Sequence, residues 1–80
     1  MQEDQILNEL NEIFKKALNQ NDLIISKQSD ADNTVGWDSL THIYLIVEIE
    51  SYYKIKFSSG EIQKWVNVDS IISSIIKKLN

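Results

Sequence analysis

Apolar residues recur at helical spacing in the first stretch of the chain: Ile6, Leu7, Leu10, Ile13, Phe14, Ala17 and Leu18 fall on one face. Glu3 and Asp4 precede them and Lys15 and Lys16 follow, the charge order that suits a helix dipole. The pattern predicts a helix over about residues 3–19, ended by Asn19-Gln20-Asn21-Asp22, whose side chains compete for backbone hydrogen bonds. From Gln20 to Gly36 no period persists. A short apolar knot, Leu23-Ile24-Ile25, is expected to pin this long loop to a core, and loops of such length in small domains are usually functional or poorly ordered.

A second helix is predicted from Ser39 to Tyr53, with Asp38 as N-cap accepting the amide of Leu40 or Thr41 and Gly36 letting the chain turn into it. At roughly 100° per residue, two opposed apolar stripes appear: Leu40, Ile43, Tyr44 and Val47 on one side; Leu45, Ile46, Ile49, Tyr52 and Tyr53 on the other. An ordinary surface helix has one. Either the helix is central and buried all round, or one stripe packs the core and the other awaits a partner; a chain this short can hardly surround a helix, which favours the second. Ile71, Ile72, Ile75, Ile76 and Leu79 give a last helix over about 68–79, with Asp69 ahead and Lys77 and Lys78 behind. Between these helices the pattern is ambiguous. Tyr53 to Phe57 alternates like a strand that Ser58-Ser59-Gly60 turns back, whereas Glu61 to Val66 equally suits a short helix capped by Ser58 or Ser59. A lone hairpin is marginal in water, which favours the helix.

Composition bounds what such a chain does. Its 80 residues make one small domain, 1–80, with 42% hydrophobic residues, two Gly and no Pro, unlike a disordered or fibrous segment. No apolar run approaches the roughly 20 residues of a membrane span, so no membrane partner is expected. Without Cys there is no disulfide framework or thiolate metal site. The start Met1-Gln2-Glu3-Asp4 does not resemble a signal peptide, so the expected compartment is the cytoplasm. All eight basic residues are Lys and the net charge is −4, which argues against nucleic acid as a partner. The acids are concentrated: residues 1–50 carry −7 and residues 51–80 carry +3. Such a face either steers basic partners or is simply a solvated surface.

The densest chemistry is Gly36-Trp37-Asp38-Ser39-Leu40, with His42 three residues after the serine. A catalytic triad needs separated elements, an oxyanion hole and a cleft, which a local Asp-Ser-x-x-His does not supply, so no catalytic residue is assigned. His42 falls on the core side of the wheel, where a hydrogen-bonded, partly buried role is expected. Asp30 to Gly36 superficially resembles a calcium loop. Its glycine comes one place late and Thr41 stands where a bidentate Glu is required, so two exposed loop carboxylates are the better account and no metal is assigned. Ser39 is left as an exposed first-turn residue, at the end of a helix that favours a negative substituent.

Asp38-Ser39-Leu40 after a glycine, a helix with Glu-x-Glu, an aromatic at Tyr53, and Phe57 before the short segment 59–65 together resemble an acyl carrier protein. The similarity runs from the first helix through the last. The resemblance implies an all-α four-helix bundle with a long first loop and a short third helix. It also implies that a phosphopantetheinyl transferase uses coenzyme A to attach 4′-phosphopantetheine to Ser39 as a phosphodiester, its thiol then carrying acyl groups as thioesters. Members are carriers rather than enzymes, visited in turn by acyl-loading and acyl-transferring enzymes, as in fatty acid or polyketide biosynthesis, and this chain is expected to be a monomer. Asp38 matches the acid before the serine, Leu40 the apolar residue after it, and Ile43 and Val47 the apolar positions that meet partners. Leu45, Ile49 and Tyr53 match core positions. Tyr44 and Glu48 join the expected partner face.

Trp37 departs from the pattern, standing where the family commonly has a small or polar residue. Either its indole lies exposed beside the arm, meeting a partner or covering cargo, or it packs on the long loop. Tyr44, Ser51 and Tyr52 replace acids common in fatty-acid carriers, leaving Glu48 and Glu50. The Gly-Trp-Asp-Ser-Leu wording is more similar to standalone carriers of polyketide-like, aminoacyl or envelope-sugar acylation systems. The rival reading is a non-covalent interaction module that uses the exposed stripe with Ser39 unmodified.

Overall fold

The computed structural model describes residues 2–80. Four helices are found among them and no strand: α1 (Gln2–Ala17), α2 (Ser39–Tyr53), α3 (Ser59–Gln63) and α4 (Val68–Leu79). The hairpin alternative therefore falls. A helix is favoured there because Ser58 Oγ accepts the Glu61 amide at 3.2 Å while Glu61 Oε1 accepts the Ser58 amide at 2.7 Å, a reciprocal capping box. This helix is shorter than the expected 61–66 and begins two residues earlier, ending near Lys64 before the cap of α4 at Asn67. Glu61 also binds Lys78 of α4 at 3.0 Å, which fastens α3 to the bundle although it buries none of its residues completely.

The core is built by helices whose apolar stripes face one another. Ile6, Leu10, Ile13 and Phe14 of α1 meet Leu45 and Ile49 of α2 and Val68, Ile71, Ile72 and Ile75 of α4, all buried. Tyr53 adds a polar tie, its hydroxyl donating to Glu9 Oε1 of α1 at 2.7 Å. Burial, reinforced by that neighbouring carboxylate, pushes its phenol far above the ordinary range. Tyr52, expected on the same stripe, is exposed instead, because it stands at the margin of the stripe and edges onto the Tyr53 ring at 4.8 Å. Lys54 closes α2 in the left-handed region at φ 57, where glycine is the usual residue.

The long loop is ordered by side chains that satisfy its backbone. Asn11, at mid-helix, donates to the Leu23 carbonyl at 3.1 Å and accepts the Ile25 amide at 2.6 Å. Ile25 is thereby buried and Leu23 packs against the core, but Ile24 points outward. The expected knot thus holds by alternate residues, as extended backbone requires. Asp30 and Asn33 exchange hydrogen bonds between side chain and amide, both at 2.9 Å, so Asp30 is a turn residue and only half-buried rather than an exposed carboxylate. Farther on, the loop carbonyls of Ser29 and Lys27 accept the amides of Val68 and Asp69, tying the loop to the start of α4.

Candidate functional site

Three residues, Gly36, Asp38 and Thr41, fix the entry into α2. Gly36 has φ +88, so the turn needs glycine there, and a Cβ would in addition displace the side-chain nitrogen of Gln20, 2.6 Å away. Asp38 is extended and its carboxylate accepts the Thr41 amide at 2.9 Å. Thr41 Oγ1 accepts the Asp38 amide at 2.8 Å and donates to the Gly36 carbonyl at 2.7 Å, locking the turn to the helix. The Thr41 hydrogen bonds hold the Asp38 carboxyl below its ordinary range. Ser39 follows as the first residue of α2 and is exposed, with the positive end of the helix behind it.

The same helix displays the expected outer stripe. Leu40, Ile43, Tyr44 and Val47 are 60%, 57%, 52% and 56% exposed, a continuous apolar face beginning one residue after Ser39. Glu48 borders it, 3.7 Å from Lys16 of α1. Glu50, the other acid of α2, is turned inward to accept the Phe57 amide at 2.9 Å and takes no part in that face.

Trp37 is not on it either. The residue is only 8% exposed, because its ring packs edge-on against Phe14 at 5.0 Å and its Nε1–H donates to His42 Nδ1 at 3.0 Å. The partner-facing alternative for this indole therefore gives way to the packed one. His42 is half-buried and hydrogen-bonded, and burial lowers its pKa below the ordinary histidine value. Asp38 is engaged by Thr41 and His42 by Trp37, so the Asp–His contact of a triad is not made.

Trp65 is the site residue that periodicity does not find. Standing just beyond α3, it edges onto His42 at 5.9 Å and onto Phe57 at 4.9 Å, while its Nε1–H donates to Ser74 Oγ of α4 at 2.8 Å. Five rings, Phe14, Trp37, His42, Trp65 and Phe57, thus run in sequence from the α1 core to the segment before α3. The available signal was compositional: one of only two tryptophans stands between short helices, where an indole needs a cover. An open cleft of about 490 Å³ lies along the middle of this row, lined by Trp37, Asp38, Ser39, His42, Trp65 and Val66 among others. Among the described residues, no group of acids and histidine forms a metal site, and no helix is long and apolar enough to cross a membrane.

The chain is thus a small helical bundle with an exposed serine at the start of its second helix, beside an exposed apolar face. No protein-family model matches the chain. It is, however, 30% identical over 70 residues to the acyl carrier protein of Phytoplasma mali (strain AT), spanning 88% of this chain and 83% of that relative. The solution structure of the holo acyl carrier protein from Geobacter metallireducens superposes with a TM-score of 0.85 at 38% identity, covering 91% of this chain and 84% of that one. The acyl carrier protein of Thermotoga maritima shares the fold, with a TM-score of 0.84 at 23% identity, covering 99% and 92%. The chain belongs to the acyl carrier protein family.

Proposed function

We propose that the protein, as one carrier domain and a monomer, holds acyl or aminoacyl groups on a 4′-phosphopantetheine arm attached to Ser39 and presents them to enzymes that dock on α2. The observation that carries this reading is the exposure of Ser39 as first residue of α2, directly after a locked Asp38 cap, in a chain of this family. The residues present fit the group. Ser39 Oγ is accessible, and the positive helix end favours the negative charge of a phosphodiester. Attachment by a phosphopantetheinyl transferase forms the bond from Ser39 Oγ to phosphorus as the pyrophosphate of coenzyme A breaks, adenosine 3′,5′-bisphosphate departs and the hydroxyl proton passes to solvent. When bound, the arm supplies the thiol that holds cargo as a thioester, a group this chain lacks because it has no Cys.

The other residues serve recognition. Asp38 fixes the turn that presents Ser39, and Leu40, Ile43, Tyr44 and Val47 offer apolar area to successive enzymes, with Glu48 at the rim. The test is intact mass before and after incubation with coenzyme A and a promiscuous phosphopantetheinyl transferase. One phosphopantetheine should be gained by the wild type and none by Ser39→Ala. A wild-type chain left unmodified under conditions that load a control carrier refutes the reading and leaves a non-covalent interaction module in its place.

A further inference from the structure

His42 stands close to Ser39, the serine proposed to be modified. It follows Ser39 by three residues, so the two side chains are neighbours on one helical face, and both line the cleft beside Trp65 and Val66. The indole N–H of Trp37 can only donate, so His42 Nδ1 must keep its lone pair and the proton of the neutral ring resides on Nε2. Among the described residues Nε2 has no hydrogen-bond partner. Trp65 also packs edge-to-face with the ring, at 83°, and its own N–H is taken by Ser74, so both neighbouring indoles leave the imidazole donor unused.

We propose that His42 Nε2–H donates a hydrogen bond to the phosphodiester carried on Ser39. This rests on the proposed modification of Ser39. The electrostatics call for such a donor, because an ionised Asp38 stands directly beside the serine and a second anion there is repelled. Among the described residues Asp38 is the only other titratable side chain lining the cleft: the long loop contributes Ala31 to it, and the segment before α4 contributes Trp65, Val66 and Asn67, all uncharged. Burial of the ring favours its neutral form, so near neutral pH the bond is that of a fixed tautomer rather than of a mobile cation.

The experiment follows the imidazole ¹⁵N and the ³¹P resonances of the mass-verified holo-protein from pH 5 to 8. A phosphodiester has no ionisation of its own in that range, so any ³¹P inflection reports a neighbour. The apo-protein should show His42 as the Nε2–H tautomer. Loading should raise its midpoint by at least about half a pH unit, with a ³¹P inflection at the same pH. In holo His42→Gln, which retains a donor but does not titrate, the ³¹P signal should become flat with pH. Complete mass gain with a wild-type ³¹P signal flat through the His42 midpoint overturns the role of His42 alone; absence of any mass gain removes the modification of Ser39 and this inference with it.

Discussion

The division of α2 into a buried and an offered stripe can be tested by two substitutions two residues apart. Ile49 is 0% exposed, enclosed by the core of α1 and α4, whereas Val47 is 56% exposed on the outer stripe. Truncating Ile49 to Ala removes buried carbons and leaves a cavity, a loss of about 2–5 kcal/mol. A chain of this size holds roughly 4–12 kcal/mol in total, so the variant should melt at least about 10 °C lower and sit close to unfolding. Val47→Glu removes apolar area that water already reaches, and Glu is the better helix former, so its stability should change by no more than about 0.5 kcal/mol. The same change places a charge in the middle of the proposed docking face. Loading by the phosphopantetheinyl transferase should slow by about tenfold or more, equivalent to about 1.4 kcal/mol of lost contact. Thermal melts by circular dichroism and a mass-resolved loading time course measure the two quantities on the same samples. If Val47→Glu lowers the melting temperature as far as Ile49→Ala does, the two stripes have been divided wrongly.

Lys54→Gly should stabilise the protein by about 1 kcal/mol, because a side chain is relieved of the left-handed conformation that ends α2; chemical denaturation reads the gain. Gly36→Ala should do the reverse, losing about 1 kcal/mol or more through its positive φ and the displaced Gln20 side chain, and slowing Ser39 modification as the turn loosens. Tyr53→Phe should cost about 1 kcal/mol by removing the hydroxyl that donates to Glu9, with near-native circular dichroism. The His42 shift gives a pH dependence of defined sign. Its folded-state pKa lies below the ordinary value of 6.5, so above that pH both states are neutral; below it the unfolded chain takes the proton first, and stability declines as pH falls through the folded-state pKa. Denaturation midpoints in the apo wild type should fall over this window and fall less in His42→Gln. The lowered carboxyls of Glu3, Asp38 and Glu61 act at lower pH, near and below their ordinary values of 4.5, 3.8 and 4.5, and do not obscure it.

The helices and the serine were legible in the sequence because each is a local matter. Periodicity places Leu10, Ile49 and Ile75 on inner faces whatever the rest of the chain does, and a cap such as Asp38 is satisfied within four residues of itself. What stayed hidden depends on contacts between distant residues. Asn11 reads as an indifferent polar residue inside a helix until the loop twelve and fourteen positions later is seen bonded to it. Trp37 reads equally as exposed or packed, because its place in the turn before α2 says nothing about the T-shaped contact with Phe14 of α1 that covers it. Trp65 has no period to join at all. These three residues nonetheless decide how Ser39 is presented. Asn11 orders the loop behind it, Trp37 fixes the proton of His42, and Trp65 walls the cleft in front. A helix start and an Asp-Ser-Leu sequence are enough to propose where an arm is attached. Whether the first group of that arm is held or left free is decided by side chains from α1, the loop and the α3–α4 junction, and so by the tertiary fold rather than by the motif.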